Sequence, residues 1–166
     1  MMYLVADQIE NLKPYMESDC GGYAPRIIWS SMVSLAGGSP PLASTCSLRS
    51  LGDGVQWSVL WLIPGALIYG EACKLGRVWN YTTDADPAVE QPSVKAWRQP
   101  LSHIERLEVD AIEVTRRERE SWSWRVAGRI VLRDGQVLRL PLSEKATPSD
   151  DEDAEQFITQ LRQFLS

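Results

Sequence analysis

The chain has 166 residues, of which 44% are hydrophobic and 23% charged, with a formal net charge of −5 and an isoelectric point of about 4.9. That length and balance suit one globular domain with room for an extension. The acidity argues against a general phosphate-binding role, because nucleic-acid binders normally carry a basic footprint.

Residues 1–44 read as a helical extension. Val5, Ile9, Leu12 and Met16 fall on one helical face, and Pro14 should end or kink that helix. Cys20 to Gly22 reads as a loop. The run Arg26–Leu35 fits two patterns. Pro25 before it and Gly37-Gly38 after it punctuate a helix. Ile27, Trp29, Val33 and Leu35 would also line one face of a strand. The helix is the preferred reading, and Gly37–Pro41 follows as a loop.

From Thr45 the pattern turns to β. Leu48–Leu51 is a short run closed by Gly52-Asp53-Gly54. Val55, Trp57, Val59, Trp61 and Ile63 then alternate, with Leu60 and Leu62 on the opposite side. Apolar residues on both faces describe a central, covered strand. Pro64-Gly65 turns the chain, and Ala66–Cys73 returns. Leu75–Ser93 is a long polar loop holding Trp79 and Tyr81. Loops of that length carry binding functions or are mobile, so both aromatics are candidate contact residues, although packing back onto the sheet fits them equally. Asp84 and Asp86 before Pro87 read as a solvated turn rather than a cation site.

Val94–Arg98, with Trp97, restarts a strand. Pro100 to Val109 reads as a turn feeding another, with Ile104, Leu107 and Val109 inward, continued by Ile112 and Val114. Arg116–Glu120 is a charged turn. Trp122 and Trp124 share a strand face, as a core plug or, alternatively, as a recognition surface. Ile130 and Leu132 alternate with Arg129, Val131 and Arg133. Asp134-Gly135 suits a type I′ hairpin turn, and Val137, Leu138 and Leu140 return. A closing helix is announced by Pro148 and a Ser149–Glu152 capping box, with Asp150, Asp151 and Asp153 near its positive end. Phe157, Ile158, Leu161, Phe164 and Leu165 form its apolar stripe.

Charge is uneven along the chain. Residues 94–142 hold ten basic and seven acidic residues, between two acidic flanks. Arg116, Arg117, Arg119, Arg125, Arg129 and Arg133 could form a patch, but a solvated strand face explains them as well, and that reading is favoured. Cys20, Cys46 and Cys73 form no C-x-x-C pair, so neither a zinc site nor another cofactor is expected. The thiols read as reduced, which points to a cytoplasmic location. The first 16 residues lack the features of a signal peptide. No apolar run nears the ~20 residues of a membrane span.

The pieces Leu62-Ile63-Pro64-Gly65-Ala66-Leu67-Ile68-Tyr69, Pro100–Val109, Ile130–Leu140 and Asp153–Leu165 occur in an order that resembles small bacterial pleckstrin-homology-like (PH-like) domains. The resemblance spans roughly residues 45–165. It implies a mainly β (α+β) fold, a two-sheet antiparallel barrel closed by a C-terminal helix, with residues 1–44 added in front. Lipid-binding members of that superfold use a basic loop between their first two strands. The turn matched here is Pro64-Gly65, without a Lys/Arg cluster, so phosphoinositide binding is disfavoured.

Catalytic motifs do not stand out. His103 is the one histidine and reads as a surface or capping residue rather than a general base. G-x-S-x-G, G-K-[ST] and G-x-G-x-x-G are missing from the sequence. The expectation is therefore a non-enzymatic protein-interaction module, of immunity, antitoxin or scaffold type, with a protein partner or a second copy. Its candidate surface comprises Trp79, Tyr81, Trp97, Arg116, Arg117, Arg119 and Trp122. The alternative is a barrel that encloses a small or lipid-like ligand.

Overall fold

A computed structural model describes residues 6–18, 22–76, 79–84, 92–117, 121–142 and 148–166; for 6–7, 111–117, 121–126 and 148–149 the description is of the backbone. The protein is mainly β. In chain order it has α1 (Ala6–Leu12), a 3-10 turn (Lys13–Tyr15), β1 (Glu17–Ser18), β2 (Gly22–Tyr23) and α2 (Arg26–Ala36). Then follow β3 (Ala43–Leu51), β4 (Gly54–Ile63), β5 (Ala66–Leu75), β6 (Ser93–Pro100) and a second 3-10 turn (Leu101–His103). The chain closes with β7 (Ile104–Arg117), β8 (Ser121–Leu132), β9 (Val137–Leu140) and α3 (Pro148–Leu165).

Three antiparallel sheets form, ordered β1-β2, β3-β4-β5-β6 and β7-β8-β9. The expected barrel does not close. Pro100 and the 3-10 turn after it interrupt the ladder between β6 and β7. β9 spans only four residues, because Pro141 has no N–H to extend it. Along β3, where a closing strand would have to lie, α3 packs instead.

The four-stranded sheet is covered on both faces, as the double alternation of β4 requires. Trp57, Val59, Trp61 and Ile63 face the N-terminal segment, in a core with Met16, Ile28, Trp29 and Met32. Leu60, Leu62, Leu67 and Tyr69 face the other way, in a core with Ile104, Ile130, Leu132, Leu138, Leu140 and the α3 residues Phe157, Ile158 and Leu161. α2 forms as the sequence punctuation predicts, with Pro25 before it and Gly37 in the left-handed region (φ 61°) after it. It lies close on β5 because Gly70 leaves room: a Cβ there would stand 2.8 Å from the Met32 sulfur.

Several local expectations are corrected. The β8–β9 turn is not a two-residue type I′ loop. Gly135 N–H donates to the Leu132 carbonyl (2.9 Å) and Leu132 N–H to the Gln136 carbonyl (2.9 Å), with Gly135 at φ 86°. Those bonds define a three-residue loop, Arg133-Asp134-Gly135, with a bulge at the glycine. Val109 is 46% exposed rather than inward, and the register of β7 against β8 shifts between Ile104 and Arg106 and again between Val109 and Ala111. The first shift is what lets Ile104 and Leu107, an odd number of residues apart, share the core. α3 begins at Pro148, so Ser149 sits inside the helix rather than at its cap. Phe164 (45%) and Leu165 (39%) are exposed, so the helical stripe is buried only as far as Leu161. Finally, the loop joining the first two strands of the four-stranded sheet is Gly52-Asp53; Pro64-Gly65 joins the second and third.

Candidate functional site

The aromatics of the 79–84 turn are structural. Trp79 is 2% exposed, which removes it from the candidate surface. Its carbonyl accepts the Trp57 indole N–H at 2.5 Å, and its own indole N–H donates to Asp84 at 2.9 Å. The second Asp84 oxygen accepts the Arg26 backbone N–H at 2.8 Å. Asp84 thus serves the first turn of α2 from 58 residues away, where a carboxylate also opposes the positive end of the helix dipole. It is no free solvated turn residue; Asp86 lies outside the described residues. Tyr81 is half-buried, its ring 5.5 Å from Trp29 and 4.8 Å from the Arg26 guanidinium. The turn is a strap holding the extension to the sheet.

Trp97 is half-buried, its ring centroid 5.4 Å from that of Tyr69. The Tyr69 hydroxyl donates to Glu71 at 2.6 Å. Burial first, then that hydrogen bond, pushes the phenol above its usual range. Register places Ser47, Ser58, Glu71 and Lys95 side by side across the four strands, so this end of the inner sheet face is polar. Arg116 and Trp122 stand opposite one another on β7 and β8, whereas Arg117 pairs with Ser121 on the other face. Arg119 lies outside the described residues. The structure therefore does not bring the seven candidate residues into one surface.

A groove that the sequence did not announce lies between the start of β7 and the end of α3. It encloses about 470 Å³ and is lined by Ile104, Glu105, Arg106, Leu107, Arg162, Leu165 and Ser166. Ile104 is buried at its floor, and Leu165, 39% exposed, lines its α3 side. β7 is an edge strand of its sheet. On the solvent side, Arg106 pairs with Glu105 and Glu108, and Arg129 pairs with Glu108 and Asp110. The Arg106 hydrogen bond holds the Glu108 carboxyl below its usual range. A bulge and a row of charges are the devices that protect an open strand edge from indiscriminate pairing.

A second, smaller cleft of about 160 Å³ lies on the extension side, walled by Leu12, Val33, Ala36 and Pro40 over Trp61. His103 sits on the exposed turn before β7, with Nδ1 2.8 Å from the Gln99 side-chain oxygen. Cys46 is buried and Cys73 half-buried, and burial pushes both thiols up. Among the described residues, no cluster of three or more His, Cys, Asp or Glu could hold a metal ion, and no helix is long and apolar enough to cross a membrane.

The fold defines a mainly β protein of three antiparallel sheets and a C-terminal helix. No family model matches the chain, and no curated protein or solved structure shows significant similarity to it.

Proposed function

We propose that this chain is a non-enzymatic protein-interaction module that receives an extended segment of a partner protein along the outer edge of β7, beside the end of α3. One observation carries the reading: an edge strand, Ile104–Leu107, borders a groove whose far wall carries the partly exposed Leu165. An added strand gains main-chain hydrogen bonds from such an edge, and alternate side chains supply selectivity. The side chains facing α3 would be apolar, to cover Leu165. The opposite ones would meet Glu105 and Arg106.

We read the fold as PH-like. A four-stranded then a three-stranded antiparallel sheet, followed by a packed helix, supports that reading. An anionic lipid headgroup remains disfavoured, since the loop between the first two strands is Gly52-Asp53. A scaffold or immunity-type role in the cytoplasm fits such a module. The enclosed-ligand reading has less support, because Phe157, Ile158 and Leu161 fill the space between the sheets.

The test is a peptide selected from a random library against the intact chain. Replacing Phe164 and Leu165 by Ser should weaken that peptide at least ~10-fold, about 1.4 kcal/mol. Unfolding stability should fall by less than about 2 kcal/mol, because both side chains are only partly covered in the last turn of α3. Unchanged affinity would refute the groove as the docking site.

A further inference from the structure

β7 and β8 outrun their sheet. β9 pairs with β8 only from Gly128 to Val131. Beyond Gly128 the two long strands continue as a two-stranded arm, from the Ala111–Ala127 pair to the Arg117–Ser121 pair. The register sorts the arm into two faces. One carries the pairs Ile112–Val126, Val114–Trp124 and Arg116–Trp122. The other carries Ala111–Ala127, Glu113–Arg125, Thr115–Ser123 and Arg117–Ser121. Along β8 the first face is continuous with Ile130 and Leu132, which belong to the core. A lone two-stranded hairpin is marginal in water, and a third and fourth strand stabilise it.

The free edge of β8 is complementary to itself. If two copies are laid antiparallel about Trp124, that residue meets its own counterpart. Trp122 then stands opposite Val126, Ser123 opposite Arg125, and Ser121 opposite Ala127. Apolar positions meet apolar positions, and no like charges face each other. The arm holds four arginines against three glutamates, so it is close to neutral in a chain of net charge −5, and two arms laid together repel little.

We propose that a second copy of this chain pairs with the free β8 edge about Trp124, giving a continuous four-stranded ribbon β7-β8-β8-β7 with one apolar face. This edge is distinct from the outer edge of β7, so self-association and partner binding can be tested separately.

Sedimentation equilibrium on the intact chain should show a dimer. Ser123→Lys sets a lysine against the second copy's Arg125 twice per dimer and should weaken it. Ser123→Glu should strengthen it, each by roughly 2- to 30-fold in Kd. Far-UV circular dichroism should match the parent for both, because Ser123 lies on the polar face of the arm. A monomer at every soluble concentration would overturn the proposal. So would a dimer indifferent to both substitutions, or one lost only on replacing Phe164 and Leu165.

Discussion

The two faces of the four-stranded sheet use the same residue types for opposite ends. Towards the extension, Trp29, Trp57, Trp61 and Trp79 are all at most 2% exposed. Each indole N–H is satisfied: Trp29 donates to Ala24 O, Trp57 to Trp79 O, Trp61 to Tyr15 O and Trp79 to Asp84. Towards the second sheet, Trp97 is only half-buried, and the inner face turns polar at Ser58 and Glu71. Trp122 and Trp124 lie on an arm that leaves the body of the sheet. Four of the seven tryptophans therefore mark a sealed interface, and the proposed partner surface lies on the opposite side.

That contrast can be broken most sharply by truncation. Trp57→Ala should cost about 3–5 kcal/mol, as large buried aromatics do, and lower the urea midpoint steeply. Trp97→Ala should cost clearly less, since part of its ring already meets water. Equal costs would mean that the two faces are equally sealed.

Next in size is the strap. Asp84→Ala removes the acceptor of both the Trp79 indole and the Arg26 amide. A loss of about 1–2 kcal/mol is expected, with faster hydrogen exchange at the Arg26 amide and little change at Ile130. Unaltered exchange at Arg26 would show that the extension is held without the strap.

The smallest effect is a pH dependence. Cys46 belongs to the sealed core, and burial raises its thiol above the 9.0 of an exposed one. Below pH 9 this group adds no pH dependence. Above it the unfolded chain loses a proton that the folded chain keeps, so stability falls by up to about 1.4 kcal/mol per pH unit from this group. Urea melts between pH 8 and 9.5, where the loss stays below about 1 kcal/mol, should show a shallower alkaline decline for Cys46→Ala than for the parent. Parallel declines would mean that solvent reaches the thiol.

Much of the fold was legible where local chemistry decides it. The double alternation of β4 shows a strand covered on both sides, and Pro25 with Gly37-Gly38 brackets α2. Asp-Gly marks the β8–β9 turn, but the same dipeptide serves two- and three-residue loops, and hydrogen bonds to Leu132 and Gln136 choose between them. On β7, Ile104 and Leu107 turn to the core as expected; Val109 stays in register on the Leu107 face yet is 46% exposed, and nothing local in the sequence marks where the cover of that face ends. The proposed surface was illegible for a different reason. Trp79 looks like an exposed loop aromatic until Asp84 folds it against a helix that begins at Arg26. The groove exists only because Ile104–Leu107 and Arg162–Ser166, far apart in the chain, end up side by side. What the sequence did offer was Phe164 and Leu165, an apolar stripe running past the last buried turn of α3.

The most direct test follows backbone amides during titration with a library-selected peptide. Binding along the β7 edge predicts shifts concentrated at Ile104–Leu107 and Arg162–Ser166, and slowed exchange for edge amides of β7. Shifts gathered instead around Leu12, Val33 and Trp61, with β7 unmoved, would contradict it.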